Sequence, residues 1–202
     1  MKRLPRSFYG RPARLVAKDL LGKRLVSMVD GRRVGGDIVE TEAYCDTEER
    51  DLACHGDRAN EGRPTLRTAV MFGPPGFSYV YFTYGMHWMF NIVTGDPGYA
   101  NAVLIRALEP MEGLETMRAF RARPDLELTN GPAKLAQALT IDQAHNGLDL
   151  CEPESSIWIE DGLVIEEDKI RTGPRIGLGK TPEPWLSIPW RYWIDGNPYV
   201  SR

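Results

Sequence analysis

The segment Val39-Glu40-Thr41-Glu42-Ala43-Tyr44 places two carboxylates and a phenol at alternate positions. The two-residue period of a strand puts Glu40, Glu42 and Tyr44 on one face, with the smaller and branched Val39, Thr41 and Ala43 turned to the core. A carboxylate beside an aromatic at a strand end suits a general base next to a stacking wall. The same pattern also suits the polar outer face of an edge strand. A third reading takes Glu40 and Glu42, roughly 7 Å apart along a strand, as the paired carboxylates of a glycosidase acting on free carbohydrate or nucleoside.

Aromatic residues are unusually dense from Phe77 to Trp88. Tyr79 and Tyr81 share a strand face, where they form either a stacking platform for a base or part of the core. Tyr84 has the opposite parity and falls at a hairpin tip with Gly85 and Met86. An exposed aromatic there can act as a wedge between stacked bases, or it can pack on a neighbouring loop. His55 lies in a long polar stretch, rich in Gly and Arg, from Cys45 to Thr68, a length that usually marks a functional or mobile loop. The three histidines, His55, His87 and His145, show no metal-ligand spacing, so metal catalysis is not expected. Gly131-Pro132 ahead of Lys134 reads as a helix start able to accept a phosphate.

Several elements must position these residues. Lys23 to Val29 and Arg33 to Tyr44 flank Asp30-Gly31, a strong hairpin signal. Gly76 to Tyr84 and His87 to Thr94 read as a second, protruding hairpin, and Ala102 to Ala107 as a further strand. Helices are expected over Arg11 to Leu21, Glu112 to Arg121 and Pro132 to Leu139, the last opening on a proline whose missing N–H is harmless there. Short strands follow around Ile157, Val164, Ile176 and Trp190 to Ile194. The expected fold class is α+β: one domain over residues 1–202, with a curved, mostly antiparallel β-sheet, packed helices and a protruding β-hairpin.

Composition agrees with a globular chain of 202 residues, 42% hydrophobic and 26% charged. No apolar run approaches the roughly 18 residues of a membrane span, so a cytoplasmic protein is expected. Cys45, Cys54 and Cys151 are odd in number and form no C-x-x-C pair, which suggests ordinary thiols. The net charge of -3 argues against a nucleic-acid binder if taken as one number. Its distribution weakens that objection. Residues 1–36 carry ten Lys/Arg against Asp19 and Asp30, a local balance of +8, leaving the rest of the chain at -11. Such a segment forms either a basic surface or a solvated face.

In order, Ile38 to Tyr44, His55, Tyr79 to Tyr81, Tyr84-Gly85-Met86, Asn91, Leu104 to Pro110, Glu112 to Arg118, Gly131 to Leu135, Arg175-Ile176-Gly177 and Gly196 to Ser201 resemble the alkyladenine (3-methyladenine) DNA glycosylase family. The resemblance covers nearly the whole chain. It implies a monofunctional base-excision enzyme, without cofactor, acting as a monomer on double-stranded DNA that carries a damaged purine. Glu42 would then activate the water, which Arg106 and the backbone carbonyl of Ile176 would also hold. Tyr44, His55 and Tyr81 would enclose the flipped base, and Asn91 would border the edge where guanine carries its amino group. Tyr84 would fill the gap in the duplex, with Met86, Arg63, Thr65, Arg67 and Lys134 on DNA. The matched catalytic position holds no Lys, so no lyase step is implied.

Two stretches depart from the family pattern. The segment between Tyr44 and His55 is longer than in vertebrate members and carries Asp46, Glu48, Glu49 and Asp51, and hairpin residues Phe82, Thr83, His87 and Trp88 also differ. A noncatalytic single-strand or RNA-binding module would also use tyrosines and scattered arginines, but it would have no need of a buried carboxylate beside Arg106.

Overall fold

A computed structural model describes residues 1–45, 50–56 and 63–201. Eight strands build one curled antiparallel sheet: β1 (Arg24–Val29), β2 (Arg32–Tyr44), β3 (Ser78–Thr83), β4 (His87–Val93), β5 (Ala102–Glu112), β6 (Ile157–Glu160), β7 (Ile170–Gly173) and β8 (Arg191–Ile194). Their order is β3-β4-β5-β2-β1-β6, with β8 pairing β2 and β7 pairing β8. The β1–β2 hairpin turns at Asp30 and Gly31, which have positive φ of 49° and 74°, the backbone of the tightest hairpin loops.

Strand β2 organises the sheet. Its first half is flanked by β1 and β5, and its second half by β8 and β5. The strand that carries Glu40 and Glu42 is therefore central, which overturns the reading of those residues as the outer face of an edge strand; both are fully buried. The opposite face packs as expected. Ala43 enters the core, and the Thr41 hydroxyl donates to the Ala17 carbonyl at 2.7 Å, tying β2 to the helix Ala13–Asp19.

The helix Pro132–Ala138 buries Leu135, Ala136 and Ala138, and the helix Leu114–Phe120 buries Met117. With Leu25, Ile38, Phe90, Ile105 and Leu108 they form the main core, each large apolar side chain stabilising the fold by about 1.5–3 kcal/mol.

Several boundaries differ from expectation. The strand begun at Ala102 runs on to Glu112 because long β2 offers a partner, and the next helix waits until Gly113, with φ of 75°, has turned the chain. A short helix, Arg6–Tyr9, precedes Ala13–Asp19, which is itself shorter than the expected Arg11 to Leu21. The segments around Val164 and Ile176 are not strands: Val164 has no sheet neighbour and is 83% exposed, and Ile176 lies in a loop. Strand β7, Ile-Arg-Thr-Gly, has too little apolar alternation to be seen in sequence.

The basic N-terminal segment is largely neutralised within the fold. Arg6 pairs with Asp149, Arg11 with Asp19, Lys18 with Glu167, Lys23 with Asp161, Arg24 with Asp37, and Arg33 with Glu112 and Glu160. Several of these pairs join acids distant in sequence, and Arg24 and Arg33 tie theirs to the sheet. Cys45 and Cys54 are buried and Cys151 partly so, and none of the three is in a disulfide. No described helix is long and apolar enough to cross a membrane.

Candidate active site

The site forms where β2 and β5 depart from regular pairing. Glu40 lies opposite Ala107, and Thr41 opposite Ile105, so Arg106 is the extra residue of a bulge on β5. Bulges re-aim a side chain, and this one sends the Arg106 guanidinium across the Glu40/Glu42 face of β2. Its Nε donates to Glu40 Oε1 at 2.8 Å, and Nη1 lies 3.1 Å from Glu42 Oε1.

Glu42 has two further partners. Oε1 accepts from the Ile176 backbone N–H at 2.7 Å, and Oε2 accepts from the Tyr44 phenol at 2.8 Å. Burial pushes the Glu42 carboxyl above the usual carboxylate range, while Arg106, the Ile176 N–H and the Tyr44 hydroxyl pull the other way. A carboxylate tuned upward in a buried setting is a functional-site signature.

The loop carrying Ile176 is anchored by its neighbour. Arg175 forms a fully buried ion pair with Asp51 (Nη1 to Oδ2, 2.5 Å; Nη2 to Oδ1, 2.9 Å) and donates to the Ala43 carbonyl at 2.9 Å. Its guanidinium also stacks on Tyr44 at 4.7 Å and Trp190 at 5.1 Å. Asp51, read in sequence as part of an acidic loop, is thus an internal anchor. The expectations for Asp46, Glu48 and Glu49 lie outside the described residues.

Above Glu42 opens a cavity of about 390 Å³, within the range of small-ligand pockets. Tyr44, His55, Tyr81, Asn91, Arg106 and Ile176 all line it, and Tyr84 stands at its edge. Glu42 lies beneath the lining, under Tyr44, Arg106 and Ile176. His55 Nδ1 is 3.0 Å from the Tyr79 hydroxyl, and its ring meets Tyr81 edge-on at 4.6 Å. Burial raises the Tyr81 phenol to about 12, so this wall is neutral at physiological pH. Strand parity puts Tyr79, Tyr81 and Thr83 on the cavity side of β3, and Met89 and Asn91 on that of β4. Met89 is legible from the same parity argument, and Thr83, which the sequence marks only as a departure from the family pattern, also faces the cavity. The Asn91 amide donates to the Tyr79 carbonyl at 3.0 Å, which fixes its orientation because that carbonyl can only accept.

At the β3–β4 turn, Tyr84 and Gly85 have φ of 53° and 67°, and the Met86 N–H donates to the Thr83 carbonyl at 3.2 Å. Both central residues of the turn are left-handed, a conformation usually given to Asn-Gly. A bulky tyrosine there costs of order 1–3 kcal/mol, and such strain clusters at functional sites. Tyr84 is 77% exposed and Met86 67%, so the tip is largely uncovered by the described residues.

The remaining sequence candidates lie farther out. Arg67 stacks on Tyr81 at 5.1 Å and donates to the Phe82 carbonyl at 3.4 Å. Thr65 is part of a small turn with Thr68, and Arg63 is exposed. Lys134 donates to Asn130 at 2.8 Å, and its neighbour Pro132, not Lys134, reaches the cavity. Among the described residues, no cluster of His, Cys, Asp and Glu could hold a metal ion.

Glu40 cannot serve as the second carboxylate of a glycosidase pair in this arrangement. It accepts from Arg106, from Arg191 Nε at 2.6 Å, and from the backbone N–H and hydroxyl of Ser201 at 2.7 and 2.9 Å. The arrangement sets one carboxylate, flanked by a guanidinium, directly beneath a cavity with aromatic walls.

Residues 7–198 match the sequence pattern of the methylpurine-DNA glycosylase family. A protein of Carboxydothermus hydrogenoformans, provisionally named a 3-methyladenine DNA glycosylase, is 46% identical over 98% of each chain. A relative in Methanocella arvoryzae with the same provisional name is 47% identical over 98% of this chain and 96% of its own. Another, in Rhodopseudomonas palustris, is 48% identical over 98% of this chain and 90% of its own.

Proposed function

Given that this chain belongs to the methylpurine-DNA glycosylase family, we propose that it flips alkylated or deaminated purines out of duplex DNA and hydrolyses their N-glycosidic bond with water activated by Glu42. The observation that carries this reading is that Tyr44, Arg106 and Ile176, which hold Glu42, all line the aromatic cavity. A purine in the cavity would bring its bond to deoxyribose over Glu42, the carboxylate held by three residues of the cavity lining.

Extrusion is needed because a stacked base hides that bond, at a cost of a few kcal/mol that is least at damaged or mispaired sites. Tyr84 would occupy the gap, and Met86, Arg63, Thr65, Arg67 and Lys134 would contact the DNA around it. Tyr44, His55 and Tyr81 would hold the extruded base. Alkylation at N3 or N7 makes a purine cationic, which draws it to aromatic faces and makes it a good leaving group. Water oxygen then bonds to C1′, the C1′–N bond breaks with its electron pair leaving on the base, and the water proton passes to Glu42. The backbone carbonyl of Ile176 and the Arg106 guanidinium would hold the water. Hypoxanthine, being neutral, also needs a proton or hydrogen bond at its departing ring. The reaction needs no second copy of the chain, so the protein is taken to act as a monomer.

Release of free base from a duplex carrying a single 3-methyladenine or hypoxanthine tests this directly. Release from lesion duplexes but not from undamaged ones supports it, whereas tight binding without release would leave a noncatalytic binder.

A further inference from the structure

Resting on Glu42 as the base, we propose that Glu40 is a positioning residue, which with Ser201 and Arg191 fixes the Arg106 guanidinium and keeps it a shared cation, so that Glu42 stays basic enough to take a proton. Every edge of the Arg106 guanidinium is engaged. Nε donates to Glu40 Oε1 at 2.8 Å, Nη2 to the Ser201 hydroxyl at 3.2 Å, and Nη1 faces Glu42 at 3.1 Å. Glu40 is fully buried and gathers four donors, two from guanidinium groups and two from Ser201 near the chain's end. No cavity-lining residue is among them except Arg106, so Glu40 reaches the site through that side chain and through its own charge near Glu42.

The charge arrangement explains why a second carboxylate is present. Paired with Glu42 alone, a buried guanidinium would hold that carboxylate ionised and make it a poor proton acceptor. With Glu40 taking the Nε edge, Arg106 is divided between two acids, and Glu40 itself is balanced by Arg191, which lies opposite Glu42 in the β2–β8 register. The groups facing Glu42 are Glu40 and Tyr44 from its own strand, Arg106 from β5, Arg191 from β8, Arg175 and the Ile176 N–H from the loop, and Tyr81 from β3. Among these Glu40 is the other carboxylate.

The test is the pH profile of single-turnover excision from a lesion duplex, corrected for the folded fraction. Removing the Glu40 charge favours the ionised form of Glu42. Glu40→Gln is therefore expected to move the acid limb down by about one pH unit or more, and to lower the plateau about ten- to a hundredfold as Arg106 loses its aim. Arg191→Gln removes a cation and leaves Glu40 to draw more on Arg106, so its acid limb is expected to move up. Ser201→Ala changes no charge, and should lower the plateau without moving the limb. Opposite shifts in the two charge variants support the proposal; unmoved limbs in both, with normal unfolding transitions, overturn it. If Glu40→Gln does not fold, the direction of the Arg191→Gln shift decides alone. Glu42→Gln run in parallel separates the two levels: normal excision there rejects Glu42 as the base, whereas lost excision there with unmoved limbs rejects only the role of Glu40.

Discussion

The Tyr44 phenol donates to Glu42 Oε2 at 2.8 Å, so the side chain that walls the cavity also covers the carboxylate beneath it. That bond stabilises the ionised form of Glu42 against the burial that raises its pKa. Tyr44→Phe keeps the ring and removes the donor. The Glu42 pKa should then rise further, and since the base must be ionised, the acid limb of the excision profile should move to higher pH. The variant is expected to lose more activity at pH 6 than at pH 8. An unmoved limb, or one moved downward, would show that this bond does not tune the base.

Arg175 and Asp51 are both fully buried, and removing one partner leaves the other charge without its counterion. Asp51→Asn should destabilise the fold by about 3–5 kcal/mol, measured by denaturant unfolding. Since Arg175 also holds the Ile176 loop over Glu42, excision by the folded fraction should fall as well. A loss below about 1 kcal/mol would mean that the guanidinium finds another acceptor.

Tyr84 stands exposed on a strained turn at the edge of the cavity. Tyr84→Ala should weaken binding to a lesion duplex and slow excision, with a smaller effect where the base is already unpaired, because a wedge at this position would act on flipping and not on the bond. Equal losses on paired and single-stranded lesions would assign Tyr84 to support of the hairpin.

The Asn91 amide is locked by the Tyr79 carbonyl and borders the cavity. Guanine differs from hypoxanthine only by its exocyclic amino group. Burying that group without an acceptor, or against the fixed amide, costs about 1–3 kcal/mol. Asn91→Ser should raise guanine excision relative to hypoxanthine excision by about tenfold, using about 1.4 kcal/mol per decade. An unchanged ratio on two duplexes differing only at that base, with both rates lowered, would leave Asn91 a purely structural residue.

Short-range signals were the most legible. Asp30-Gly31 marked the β1–β2 hairpin, and strand parity placed Glu40, Glu42 and Tyr44 together and brought Tyr79 and Tyr81 to one wall. Whether that face was buried could not be read from β2 itself, because burial depends on β5 and β8, about 60 and 150 residues away in the chain. The bulge that aims Arg106 has no local sequence mark, and the partners of Glu40 at Arg191 and Ser201 come from the far end of the chain. Asp51 looked like one more acid in a polar loop, since its counterion, Arg175, is equally remote. The family resemblance reached several of these residues by matching them, without giving the contacts that explain them.

The most direct test of the account is single-turnover excision of one lesion from one duplex by wild type and by Glu42→Gln, with duplex affinity measured alongside. The substitution keeps the shape of the side chain but cannot accept the water proton. Excision is expected to fall by about two to four decades while duplex affinity changes little. Excision at the wild-type rate would contradict the central claim and require a base other than Glu42.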